Sequence, residues 1–587
     1  MICSQKTMNV ILVLIVSYAV LLGAGRYSIY AVTVFFCLTI LSIFFHSGKM
    51  VLKKDILVFL IFAVFAVFST CYANYKWGAL LFSSSILCGS LFYFALRSSE
   101  SWKEKLLYTL LICGIFNGIL GIYQSVDQTN ISGFFYDKNA YSGFLTPLIP
   151  VSIYLQLNIK KRYLAYATAF LIFSNLLSHS RAGIYTTILA IFMIVIYLWK
   201  NKEKDQIRNL AITLFLGFIS YFIFSYTVEF FLPSNNVFIK ATDSFMGRFY
   251  IYHTSLKAFM SAPVFGHGIY SFQGVSGTLI NLYNINIFST YTHAHNIFLN
   301  ILVELGIVGL FIFLAFFFIV IKGPFYSNGF YFKIAILSFF LHNMYEYNFT
   351  APPFQVLLAI LSALIMKEKN EESDIIQFKG WVKKICLYLL LCFFVFVYMP
   401  QVIGYLYSDR AKKVETNYKD LLYSAYFGYL LSGAQENLAT YYEKVYFSSN
   451  KENRQSSDTA EKYYLQALEL DSLKGDLYIK IAKFYYRTGR ESIAEEYLIK
   501  VINLFPYQPI YKYEIAKYYR SMGRHDKAIK VLLVADEFLK KYAALSPFRI
   551  KVLNELSDNY KEAGNIKLYD EYNVKADRLT KYLNIQK

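Results

Sequence analysis

Charge is what this 587-residue chain has least of: Asp, Glu, Lys and Arg together make up 17% of it, against 56% hydrophobic residues. That balance excludes a soluble protein of this size, whose surface would need more ionised groups. Cysteine excludes a second class. The seven cysteines, at positions 3, 37, 71, 88, 113, 386 and 392, all lie within or beside apolar runs, so neither a disulfide framework nor a zinc spacing is on offer. Acidic residues are scarce where a metal would need them. Between Leu232 and Ala294 only Asp243 is present, so no clustered carboxylates can hold a divalent ion there. No metal and no cofactor are expected.

What the chain does have is apolar runs of about 20 residues, the length that crosses about 30 Å of hydrocarbon. They recur from Val10 to Tyr405 and read as about thirteen spans: 9–25, 27–46, 55–73, 77–96, 105–124, 139–158, 163–179, 182–199, 209–231, 295–321, 329–346, 351–366 and 382–406. Lys6 and the apolar run ending near Gly25-Arg26 imitate a signal peptide, but another span follows at once, so an uncleaved first helix is expected. Alternate connections between spans carry 21 Lys and Arg, the others only 7. The positive-inside rule then puts the N-terminus in the cytoplasm and everything after the last span outside. Most of the net charge of +19 belongs to this asymmetry. It is therefore no sign of a nucleic-acid partner.

After Asp409 the composition turns charged and amphipathic. Ala482-Lys-Phe-Tyr-Tyr-Arg-Thr-Gly489, followed by Ala494, recurs 34 residues later as Ala516-Lys-Tyr-Tyr-Arg-Ser-Met-Gly523, followed by Ala528. That period and those small residues mark tetratricopeptide repeats. Ala460–Asp471 reads as the second helix of an earlier unit, Leu553–Ala576 with Gly564 as a later one, and Ser448–Ser457 as a polar linker. The expected fold is all-α: a polytopic membrane helix bundle over 1–408 with a long outer loop at 232–294, then a soluble α-helical tetratricopeptide solenoid over 409–587.

The polar residues of the membrane part gather at one face. Arg181, Arg248, His293, His295, Glu304, His342 and Glu346 all fall at outer span ends or in the outer loop, and ionisable groups at such depths are functional candidates. Two guanidiniums there suit a phosphate or diphosphate, which they bind bidentately at every relevant pH. An imidazole suits proton abstraction from a hydroxyl. If the helix after the loop starts near His295, Gly306 and Gly309 share its face and admit a neighbouring helix closely. Each candidate has a plain alternative: snorkelling for Arg181, solvation for Arg248, and interfacial placement for the histidines. His253 and His267 read as structural, and Asp137-Lys138-Asn139 as a loop.

His295, Asn296, nine residues, then Gly306-x-x-Gly309 resembles the histidine motif of the bacterial O-antigen ligase and polymerase superfamily, which includes protein O-oligosaccharyltransferases. Ser180-Arg181-Ala-Gly183, and Arg248 through Pro263-x-x-Gly266-x-Gly268, are similar to its two other recurring segments, in the same order. The resemblance covers roughly residues 1–405, and outside these motifs it rests on hydropathy. It implies a metal-independent, inverting glycosyltransferase of the membrane-embedded C type. Such an enzyme moves a glycan from an undecaprenyl-diphosphate carrier to an acceptor hydroxyl on the outer face of the bacterial inner membrane. On this reading His295 is the catalytic base and Arg181 and Arg248 hold the donor diphosphate. His293, Asn296, Glu304, Gly306 and Gly309 support them. The acceptor is a glycan, lipid or protein; membrane lipids surround the bundle, and the tetratricopeptide domain can bring a protein partner. Two other classes stay open, a lipid-linked glycan transporter and a membrane-tethered scaffold. A transporter calls for mid-membrane charges and an inverted repeat, and a scaffold leaves the histidine motif without a purpose.

Overall fold

The protein is described here from a computed structural model covering residues 2–21, 29–45, 51–99, 102–127, 131–231, 243–279, 291–323, 329–366, 376–377, 380–413, 417–449 and 453–585. Backbone polar groups in hydrocarbon must be satisfied within their own segment, and the apolar runs accordingly become helices. The one sheet among the described residues pairs Val51–Leu52 with Ile376–Gln377. A helix occupies each of the thirteen apolar runs. Seven of the described helices, among them Lys76–Ser98 and Ile297–Ile321, are long and apolar enough to cross a membrane, and Thr7–Leu21, Ile29–Phe44 and Pro352–Met366 are shorter apolar helices. Length and hydropathy thus carry seven crossings, where the sequence alone reads as about thirteen.

Lys76–Ser98 and Pro352–Met366 form the centre of the bundle. Every residue of the second is buried, and Gly89 of the first leaves room for Gln355, whose Oε1 would stand 2.4 Å from an added Cβ. The connections sort into two ends. At one, the Val51–Leu52 pairing lies beside a buried ion pair between Arg97 and Asp55 at 3.0 Å. At the other, the segments around 72–75, 131–139, 178–181, 262–271, 291–296 and 344–351 bond to one another. These are the two sets of connections that differ in Lys and Arg.

The Gly380–Cys392 helix continues through a π-helical stretch at Phe393–Tyr398 into Met399–Lys413. The helix therefore runs through the change of composition at Asp409. Tyr418–Phe427 then folds back on it, with the Ser424 hydroxyl donating to the Gly404 carbonyl at 3.0 Å. Four helical pairs follow: Ser432–Ser448 with Arg454–Leu470, Gly475–Arg487 with Glu491–Leu504, Pro509–Ser521 with His525–Tyr542, and Pro547–Glu562 with Ile566–Ile585. Ala460, Ala482, Ala494, Ala516 and Ala528 are fully buried where helices cross. Gly489, Gly523 and Gly564 turn the chain at φ of 80°, 70° and 78°. The linker expected over Ser448–Ser457 is shorter than that. A helix begins at Arg454 because the Asn453 side chain accepts from the Ser456 amide at 3.1 Å.

The solenoid is docked on the bundle. The Ser472 amide donates to the Asn74 carbonyl at 3.1 Å, and Leu473 packs into an apolar cluster with Phe272, Val275, Ala294 and Val303. That is the end of the bundle carrying His293 and His295.

Candidate active site

The stretch 291–296 arrives as irregular chain, and Asn296 ends it. The Asn296 side chain accepts from the Phe298 and Leu299 amides at 3.0 and 3.1 Å, so the Ile297–Ile321 helix starts one residue later. Its Nδ2 donates to the Met344 carbonyl at 3.2 Å. His295 therefore stands before the helix, at φ 49°, and not on its first turn. The Ala294 amide is held by Asn300 Oδ1 at 2.9 Å.

The helix that follows is broken. Gly306 sits at φ 66°, ψ −168°, which frees the carbonyls of Val303 and Glu304 and the amides of Ile307 and Val308. All four find partners in the Pro263–Gly268 segment. Ile307 donates to Pro263 and Val308 to Val264, at 2.9 and 3.2 Å, while His267 donates to Val303 and Gly268 to Glu304, at 3.0 and 2.8 Å. The expectation that Gly306 and Gly309 admit a neighbouring helix is corrected at Gly306, which receives a non-helical segment; Gly309 does face a neighbouring helix, through the Phe65 ring of Lys54–Phe68, beside Leu305 of its own helix. Glu304 is buried and contributes its carbonyl to the clamp.

The two histidines meet at Glu346. His293 Nε2 donates to Glu346 Oε1 at 2.5 Å, and His295 Nδ1 lies 3.1 Å from the same oxygen. Because an ionised carboxylate only accepts, it fixes the proton on His293 Nε2; Nδ1 then accepts from the Thr292 hydroxyl at 2.7 Å. Exposure separates the pair: the His293 side chain is 7% accessible and that of His295 27%. His293, His295 and Glu346 each offer one donor atom, all within 4.8 Å, and could hold a metal ion. In this structure the carboxylate is already at ion-pair distance from both rings.

Glu346 also reaches the Arg181 segment. Its Oε2 accepts from Asn139 Nδ2 at 3.2 Å, and Asn139 Oδ1 accepts from the Ser180 hydroxyl at 3.0 Å. Ser180 caps the Arg181–Lys200 helix, so Arg181 opens that helix exposed at this same end. Asn139 belongs to the Lys138–Ile159 helix, capped by Asp137, which corrects the reading of 137–139 as loop. Arg248 is half-buried in the Asp243–Ser261 helix. One turn along that helix, the Tyr252 hydroxyl donates to the carbonyls of Met344 at 3.0 Å and His295 at 3.4 Å. The elements carrying Arg181, Arg248, His293, His295 and Glu346 thus converge. His267 bonds the Ser261 hydroxyl and Ala258 carbonyl within its own segment, and His253 is exposed. Residues 232–242 and 280–290 of the long outer loop lie outside the described residues. The Glu346 and Asn139 partnerships are absent from the sequence reading, which placed Glu346 on this face only by its position at a span end.

Residues 166–314 match the protein-family model described as O-antigen ligase. Arg181, Arg248, both histidines and the helix break fall inside that range; Asn139 and Glu346 fall outside it. Among curated proteins, the ComP-specific O-oligosaccharyltransferase of Acinetobacter baylyi is 24% identical over 379 residues, covering 58% of this chain and 66% of its own length. Similar solved structures include the MamA protein, at 16% identity over 31% of this chain and 91% of that one, with a TM-score of 0.23. The human IFIT1 dimer with PPP-AAAA follows, at 12% identity over 79% and 95%, with a TM-score of 0.21.

Proposed function

The membrane part of this chain belongs to the O-antigen ligase superfamily, and on that premise we propose that the protein transfers a glycan from an undecaprenyl-diphosphate carrier to an acceptor hydroxyl at the outer face of the bacterial inner membrane. The observation that carries this reading is the single carboxylate of Glu346 set against two imidazoles of unequal exposure. Glu346 favours the proton on His295 Nδ1, which leaves Nε2 as the basic nitrogen, in the manner of an acid orienting a catalytic histidine. His295, the more accessible ring, removes the acceptor hydroxyl's proton as its oxygen attacks the anomeric carbon. The carbon–oxygen bond to the diphosphate breaks, and the lipid diphosphate departs with the bonding electrons. Direct displacement inverts the anomeric configuration. Arg181 and Arg248 stabilise the charge that grows on the leaving diphosphate.

His293 is the positioning partner in this scheme, since its bonds to Glu346 and Thr292 occupy both ring nitrogens. Asn296 positions the motif by ending the irregular chain. Glu304, Gly306 and Gly309 shape the broken helix behind it. No metal takes part in the proposed step. In this scheme the tetratricopeptide domain lies on the extracytoplasmic side with the site, and the N-terminus in the cytoplasm, a placement supported by the charge asymmetry of the connections. The boundary between the two domains is placed in this scheme near residue 408, within the Met399–Lys413 helix.

The acceptor has two readings. Ligation to a glycan or lipid acceptor, or polymerisation of repeats, follows from the family; a protein hydroxyl is favoured by the name of the Acinetobacter relative. Deletion of the gene, with lipid-linked glycan, surface polysaccharide and glycoproteins measured separately, tests the proposal. Full-length carrier glycan accumulates if the enzyme is a ligase, polysaccharide shortens if it is a polymerase, and protein glycan disappears if it is an oligosaccharyltransferase. All three profiles unchanged, or transfer by the purified protein abolished by a chelator, would contradict the scheme.

A further inference from the structure

Where the solenoid meets the bundle, the two form a half-open pocket of about 530 Å³ that the proposed reaction does not use. Its volume lies in the range of about 300–1,000 Å³ usual for small-ligand sites. The bundle contributes Asn74, Tyr75 and Tyr270, and the solenoid contributes Asp476, Gln508 and Tyr511. From these we infer that the junction is a saccharide-binding subsite, in which the tetratricopeptide domain holds sugar residues of a glycan substrate.

The chemistry of the lining selects the ligand. Amide and carboxylate side chains donate to and accept from hydroxyls, which a saccharide presents in adjacent pairs. Tyrosine offers an apolar face for the C–H side of a sugar ring and a polar tip for its hydroxyls. A phosphate or diphosphate is disfavoured. Lys474 is the one basic residue in the lining, its Nζ is bound to Glu436 Oε2 at 2.7 Å, and two carboxylates, Asp471 and Asp476, face the same space.

The walls are built to stay open. Tyr270 holds φ 62°, a conformation unfavourable for a bulky side chain, and Gly78 is what makes room for it. A Cβ there would stand 2.2 Å from the Tyr270 ring. On the opposite wall Gly475 does the same for Tyr511, at 2.3 Å. Gln508 Nε2 donates to the Gly277 carbonyl at 3.4 Å, tying the walls together. The Phe272–Thr278 helix that carries Gly277 is also the partition from the catalytic side, because its Ser276 hydroxyl donates to the carbonyl of Tyr291, two residues before His293. A glycan lying in the cavity is therefore one short helix away from the histidines.

This inference rests on the glycan-transfer reading only for the source of the sugar, and the experiment separates the two. Full-length protein in nanodiscs is titrated with the oligosaccharide released by mild acid from the host's polyprenyl-linked pool, followed by saturation-transfer NMR. Tyr511→Ala and Asp476→Ala are each expected to weaken binding about tenfold, and to raise a glycan substrate's KM by a similar factor with kcat unchanged. Asp476 is exposed, so its replacement leaves the solenoid's core intact if Tyr511→Ala fails to fold. A rise in the KM of the lipid-linked donor assigns the cavity to the donor glycan, and a rise in that of a sugar acceptor to the acceptor. His295→Ala is expected to bind the oligosaccharide as wild type does. If that variant also transfers normally, the catalytic scheme fails while the subsite stands. Equal binding by wild type, Tyr511→Ala and Asp476→Ala overturns the subsite, as does saturation transfer to an acceptor peptide in place of the sugar.

Discussion

Gly266 and Gly306 lie back to back, each at positive φ, and each fills the space where a side chain on the other would stand. A Cβ on Gly306 would come within 2.2 Å of the Val264 carbonyl oxygen, and one on Gly266 within 2.4 Å of the Glu304 carbonyl carbon. Two glycine motifs 40 residues apart are thus the halves of one contact. It matters to the site because the Ile297–Ile321 helix carries the break and is the helix that Asn296 starts.

Gly306→Ala and Gly266→Ala are each expected to destabilise the protein by on the order of 1–3 kcal/mol, the usual cost of a strained backbone position, with the close contact adding to it. Gly433, which has open space around its Cβ, is the control. Thermal unfolding in detergent should show lower midpoints for the first two variants and an equal or slightly higher one for Gly433→Ala, since that glycine lies in the Ser432–Ser448 helix. Three equal midpoints would contradict the clamp.

Glu346→Gln is expected to lower kcat by at least ~10²-fold, because an amide no longer fixes which imidazole nitrogens carry protons. Single-turnover transfer by purified protein checks this, with unchanged thermal unfolding as the control for folding. A variant within a few-fold of wild type would remove Glu346 from the mechanism.

Asp471 gives a pH dependence. Burial against the Asn74–Tyr75 turn pushes its carboxyl up from 3.8 to about 6; Lys474 works against the rise and Glu436 adds to it. The docked form therefore binds this proton more tightly than the unfolded chain does. The group's stabilising contribution is full below about 3.8 and is lost as the pH rises through about 6. Asp471→Asn should flatten that part of the dependence, so its melting midpoint relative to wild type rises between pH 4 and pH 7. A difference constant with pH would show that the carboxyl is not buried in the docked state.

Much of the fold is legible in the sequence because its signals are local. Apolar runs force helices, and the Ala and Gly positions of the 34-residue repeat reappear as buried crossings and positive-φ turns. The site is legible only in part. His293, His295, Arg181 and Arg248 stand in motifs, whereas Glu346 finds His293 across 53 residues and Asn139 across 207. No periodicity reports such pairings. The break at Gly306 is hidden for another reason: within a strongly apolar run, a glycine costs a helix only about 1 kcal/mol and reads as tolerated. Its role appears once Pro263–Gly268 is seen to take up the freed backbone groups.

The central claim is that His295, and not its buried neighbour His293, takes the acceptor's proton. Single-turnover transfer of lipid-linked glycan by purified His295→Ala and His293→Ala tests it most directly. The account predicts a loss of about 10²–10⁴-fold in rate for His295→Ala, and a smaller loss for His293→Ala, whose ring only positions the shared carboxylate. A His295→Ala protein that transfers within a few-fold of wild type, or a larger loss in His293→Ala, would contradict it.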